Sequence, residues 1–145
     1  MTPPFLGLYG ATKFALESIS ESYRYELSQL GVDIVLAQPS AYPTDIFASS
    51  IKPADTARIG SYGDVGTILG KVGKALAESV SGENPPNPHE VAEAIARLVD
   101  QPGGSRPGRV VVGAPFGADV VNTTAAAVQS HVLDGFGWAS SRVLR

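Results

Sequence analysis

Tyr9 and Lys13 stand four residues apart in LYGATKFALESISESY, residues 8–23. On a helix this spacing puts both side chains on one face, one turn apart. A free phenol titrates near pH ~10, too high for a base at neutral pH. A fixed cation beside it favours the phenolate. Such a pair can pass a proton to or from an alcohol or carbonyl oxygen. The spacing alone equally suits a tyrosine that packs or caps at a helix start beside a solvated lysine, because short motifs match often by accident.

Other groupings offer less chemistry. With no cysteine there is neither a disulfide framework nor a thiolate metal site. The only histidines, His89 and His131, are far apart in sequence, which disfavours a histidine metal site. His131 and Asp134 fall within one helical turn, but no Gly-x-Ser-x-Gly elbow supplies a nucleophile. His89 near a helix N-terminus is poorly placed for positive charge and reads as a surface residue. Glycines 60, 63, 66 and 70 in GSYGDVGTILG could cradle a phosphate, yet they follow no predicted strand and fit no fingerprint. The alternative there is a flexible lid segment. Trp138 reads as a packing anchor or interface residue.

The elements that must position Tyr9 and Lys13 follow from periodicity. From Tyr9 to Leu30, the residues Leu16, Ile19, Tyr23, Leu27 and Leu30 recur at spacings of three and four, one face of an amphipathic helix. Gly31 follows as its C′ residue. VDIVLAQPS, 32–40, predicts a strand buried on both faces and stopped by Pro39. Residues 40–62 lack clean periodicity and predict a long loop with a helical turn near Asp45–Ser49. Residues 63–81 regain helical spacing through Val65, Ile68, Leu69, Val72, Leu76 and Val80. A further helix begins at Asn87 as N-cap, with Pro88 at N1 and Glu90 at N3. Its predicted buried stripe is Val91, Ile95, Leu98 and Val99, and Gly103–Gly104 stop it. RVVVG, 109–113, is a second buried strand, 117–134 a last helix, and GFGWASSRVLR a loose tail.

This order is an α/β pattern, and 145 residues suffice for one domain. Two strands are too few for a stable parallel sheet alone, so the expectation is the C-terminal half of a larger α/β domain. Net charge is −3 with scattered lysines and arginines, which indicates no nucleic-acid partner. No apolar run approaches a membrane span, and MTPPFLGLYG lacks the features of a secretory signal. The default expectation is a cytoplasmic protein.

YGATKFALESISESYRYEL followed by GVDIVLAQPSAYPTDI resembles the short-chain dehydrogenase/reductase family, over roughly residues 1–115. That family pairs Tyr-x-x-x-Lys on a helix with a following strand that ends in Pro-Gly and then a threonine. The match here is Tyr9, Lys13, Pro39, Ser40 and Thr44. The resemblance implies the C-terminal half of a Rossmann-like doubly wound parallel sheet, incomplete as given, using NAD or NADP on a small-molecule alcohol or carbonyl. Tyr9 would be the acid/base. Lys13 would favour the Tyr9 phenolate and hydrogen-bond the nicotinamide ribose. Pro39 to Tyr42 would form the turn against the nicotinamide, with the Tyr42 backbone near its carboxamide, and Thr44 would hydrogen-bond the cofactor.

The implied division is a lead-in (1–8), the catalytic helix and strand (9–39), a substrate-lid loop (40–62), helices and last strand (63–115), and a C-terminal helix and tail (116–145). Ile46, Phe47 and Ile51 would line the lid. A homo-oligomer through the 9–31 helix is the implied assembly. Ser40 stands where the family usually has glycine; if the turn needs a positive φ there, a serine costs about 1–2 kcal/mol. The family's phosphate loop would lie before Met1, so the chain alone is expected to bind dinucleotide weakly or not at all. The reading from a different class is a truncated, non-catalytic fragment acting as an interaction or oligomerisation module.

Overall fold

The computed structural model describes residues 4–46, 48–51 and 53–139. It divides into two units, one of residues 1–40 and 90–145 and one of residues 41–89. The element order is α1 (Gly7–Ser28), β1 (Leu36–Pro39), α2 (Thr56–Ser61), α3 (Val65–Ser79), α4 (His89–Val99), β2 (Arg109–Val112) and α5 (Ala118–Gly135). This is a mixed α/β chain, compatible with part of a Rossmann-like fold. Among the described residues, no helix is long and apolar enough to cross a membrane.

In the first unit β1 and β2 pair in parallel, with Leu36 opposite Arg109 and Pro39 opposite Val112. The strands are less buried than their apolar sequences predict. Their residues are mostly half-buried, Pro39 is exposed, and only Val112 is fully inside. Two four-residue strands do not have the neighbours that cover both faces of a larger sheet.

Helix α1 closes as the sequence predicts. Val32 N–H donates to Leu27 O and Gly31 N–H to Ser28 O, the paired bonds of a Schellman motif. Gly31 occupies its left-handed position at φ 74°. The apolar stripe, however, is not the buried one. Leu16, Ile19, Tyr23 and Leu30 are each at least half exposed. The helix meets the strands through Glu17, Glu21 and Arg24, and buries Ser28. At ~100° per residue the stripe lies roughly 120° round the helix from that polar face.

Asp33, between α1 and β1, explains this orientation. Its side chain is 7% exposed and faces Arg24 Nη1 at 3.6 Å and Arg106 Nη1 at 3.3 Å. It also accepts from the Gly104 N–H at 3.1 Å. Arg24 donates to Ile34 O and Arg106 O. Arg106 in turn donates to Leu98 O and Val99 O in the last turn of α4 and to Gln101 O just beyond it. The helix therefore stops at Val99 on an arginine, ahead of the Gly103–Gly104 pair expected to stop it. Its N-terminus follows expectation, with Asn87 Oδ1 accepting from His89 N–H at 3.0 Å. Its inner face is Ala94, with Val91 and Leu98 half-buried, while Ile95 and Val99 of the predicted stripe are exposed. Helix α5 buries Leu133. The start of the expected loose tail folds back: Trp138 N–H donates to Leu133 O and its ring lies 5.5 Å from that of Phe136. Residues 140–145 of that tail lie outside the described residues.

In the second unit, the helical turn expected near Asp45 is present, with Ser49 N–H donating to Asp45 O. Helix α2 lies inside the stretch read as loop. Six residues are too few for periodicity to register, but Asp55 caps it by accepting from Arg58 N–H at 3.0 Å. Helix α3 matches the predicted 63–81 closely. The glycines at 60, 63, 66 and 70 are thus parts of a helix–turn–helix, neither phosphate cradle nor open loop. Gly66 has a packing reason: a Cβ there would sit 2.5 Å from Ile59 O.

Asp33→Ala should destabilise the first unit by about 3 kcal/mol, because it strands two partly buried guanidinium groups without their carboxylate. Urea unfolding measures it. A loss no larger than that of an exposed Asp100→Ala control would show that Asp33 is not the tie described.

Candidate functional site

The first two turns of α1 carry the candidate pair. Tyr9 is 60% exposed and Lys13 is exposed beside it. Lys13 Nζ lies 5.3 Å from the centre of the Tyr9 ring, over its face. The backbone beneath is ordered by Gly10 N–H donating to Leu6 O and by Thr12 Oγ1 donating to Tyr9 O, both at 2.7 Å. A phenol and an ammonium are therefore presented together at the exposed start of α1.

Pro39 ends β1, and the Ser40 N–H donates to Val112 O at 2.8 Å. The ladder thus resumes after the proline, which has no N–H of its own. Among the described residues the non-glycine positions with positive φ are Phe5 and Phe116. Ser40 is not one of them, so the left-handed penalty anticipated for serine in place of glycine does not arise. Tyr42 and Thr44 belong to the second unit, where Tyr42 is buried, Thr44 is exposed and Thr44 N–H donates to Tyr42 O at 2.9 Å. Ile46 and Ile51 are exposed, Ile51 to 98%. Phe47, expected in the lid, lies outside the described residues. The structure brings Tyr9 and Lys13 together and sets Pro39 and Ser40 in the same unit; the other site candidates belong to the second.

Sequence reasoning missed a polar chain that continues from this pair. Gln38 Nε2 donates to Glu17 Oε1 at 3.0 Å, and Asn122 Nδ2 donates to Gln38 Oε1 at 2.6 Å. Further along α1, Glu21 accepts from Tyr25 OH at 3.3 Å and faces Arg109 Nη2 at 3.4 Å. Glu17, Glu21, Tyr25, Arg109 and Asn122 line a cavity of about 430 Å³ between α1, the strand starts and α5. The signal was in the spacing. Tyr9, Lys13, Glu17, Glu21 and Tyr25 each follow by four, and an i+4 row drifts ~40° per step. A row that starts exposed therefore turns onto the strand-facing side. Among the described residues, no group of three or more His, Cys, Asp or Glu could hold a metal.

Burial raises the Tyr25 phenol above its ordinary value of 10.0, and the Glu21 carboxylate beside it adds to the shift. Below pH ~10 both folded and unfolded states hold the proton; above it the unfolded state loses it first, so stability falls as pH rises through the folded value. Tyr25→Phe should remove that part of the alkaline loss. Urea midpoints for the two proteins at pH ~9 and ~11 measure it. Parallel declines would contradict the assignment.

No family model matches the chain. A stretch of 100 residues, 66% of this chain, is 36% identical to an uncharacterized oxidoreductase, YusZ, of Bacillus subtilis (strain 168), and covers 33% of that protein. A stretch of 71 residues, 49% of this chain, is 34% identical to an NADPH-dependent 3-dehydrocapnine reductase of Ornithobacterium rhinotracheale, and covers 25% of it. The similarity thus spans a third or less of each relative's length, and both relatives bear oxidoreductase names.

Proposed function

We propose that this chain carries the proton-transfer part of an NAD(P)-dependent oxidoreductase of the short-chain dehydrogenase/reductase type, interconverting a small-molecule alcohol and carbonyl. The observation that carries the reading is the exposed Tyr9–Lys13 pair on the first turns of α1, with Nζ 5.3 Å from the ring centre. The oxidoreductase names of the two relatives support it.

The donors present on α1 suit the nicotinamide–ribose end of a dinucleotide: an exposed ammonium at Lys13 and the Tyr9 hydroxyl. The Pro39–Tyr42 backbone and Thr44 would hold that end. When bound, the nicotinamide would supply or accept the hydride at the substrate carbon. In the reducing direction Tyr9 gives its hydroxyl proton to the carbonyl oxygen; in the oxidising direction its phenolate takes the alcohol proton. Lys13 would donate to the nicotinamide ribose. Ile46, Phe47 and Ile51 would shield the substrate from water as lid residues. NADPH is the first cofactor to test, given the name of the second relative.

Tyr9→Phe, in the protein at the length its source cells make it, should lower kcat by about 10²–10⁴-fold while changing NADPH affinity far less. Stopped-flow or steady-state absorbance of NADPH reports the first, and fluorescence titration the second. Full turnover by the variant would overturn the assignment.

The outward stripe of α1 favours a second reading, in which this helix packs against its counterpart in another copy. Burying the exposed parts of Leu16, Ile19 and Tyr23 would contribute on the order of 1 kcal/mol per side chain. Ile19→Asp combined with Tyr23→Asp should reduce the sedimentation mass to that of one chain, whereas Tyr9→Phe should not. An unchanged mass in the double variant would remove this reading.

A further inference from the structure

We propose that Gln38 is a positioning residue, whose amide, bonded to Glu17 and Asn122, sets the end of β1 relative to the Tyr9–Lys13 helix. The inference rests on the oxidoreductase reading above. Gln38 is half-buried and directly precedes Pro39 and Ser40, the strand end expected to hold the nicotinamide. Its backbone pairs with Val111, which ties it to β2 but not to α1. The tie to α1 is the side chain: Gln38 Nε2 donates to Glu17 Oε1 at 3.0 Å. Glu17 sits one turn beyond Lys13, on the same row of the helix.

The chemistry of the three side chains gives the bonds a fixed sense. An ionised carboxylate only accepts, so the Gln38 NH₂ must face Glu17. The Gln38 carbonyl is then left to accept, and Asn122 Nδ2 in the first turns of α5 donates to it at 2.6 Å. One amide thereby links helix, strand and helix. A leucine at this position would keep the ladder to β2 while releasing α1 and α5. A glutamate would set a second carboxylate against Glu17. Exchanging the two residues, Glu17→Gln with Gln38→Glu, restores a donor–acceptor pair, and the new carboxylate still accepts from Asn122.

The test uses the protein at its cellular length, with NADPH as probe. Gln38→Leu should weaken NADPH binding about tenfold, the equilibrium factor of one charge-assisted hydrogen bond. It should also lower the urea midpoint and speed amide exchange of Ser40 N–H by about tenfold. Gln38→Glu should be worse, and the exchanged pair should recover all three readouts. Unaltered exchange at Ser40 in Gln38→Leu overturns the proposal. So does an exchanged pair that regains the wild-type midpoint but not the NADPH affinity, because Gln38 would then serve folding alone. Tyr9→Phe separates the two claims. If it keeps full turnover, the oxidoreductase reading fails on its own, and the Ser40 exchange rate still decides whether Gln38 places the strand end.

Discussion

A single carboxylate shared by two arginines organises the first unit. Asp33 faces Arg24 from α1 and Arg106 from the segment before β2, and both guanidinium groups spend their remaining donors on backbone carbonyls. The result is a charged hub with its hydrogen bonds made, at which the end of α1, the end of α4 and the approach to both strands meet. A partly buried charge is tolerated only when it is paired and hydrogen-bonded. That requirement dictates which face of α1 turns toward the strands: the face that bears Arg24.

Everything on α1 follows from that choice of face. Glu17 and Glu21 lie near Arg24 around the helix and find Gln38 and Arg109. Tyr9 and Lys13 fall earlier on the same drifting row and stay exposed, where a solute could reach them. The apolar stripe is carried to the far side. The protein thus combines a helix attached by polar groups with an outward apolar surface, and the two functional readings use different sides of it. Catalysis needs the exposed start of the row, and association needs the stripe.

The candidate site was partly legible. Tyr9 and Lys13 stand out because i and i+4 on a helix must be neighbours, and their meeting needs no tertiary contact. Gln38 did not stand out. A lone glutamine in an apolar run gives no sign of what it bonds, since its partners are 21 and 84 residues away in sequence. Helix α2 was missed because its only mark is the Asp55 cap. The cost assigned to Ser40 rested on borrowing a glycine's geometry for a turn that here has no left-handed residue at that position.

Local physics determined helices α1, α3, α4 and α5, the Schellman closure at Gly31 and the Asn87 cap, because each depends on residues a few positions apart. Tertiary structure alone decided burial. Periodicity identifies an apolar face but not what lies against it, and in α1 the ion pairs of Asp33 and Glu21 outweighed the stripe in choosing the inner side. It also decided where α4 ends, because the cap is the side chain of Arg106, seven residues beyond Val99, brought back by the same aspartate.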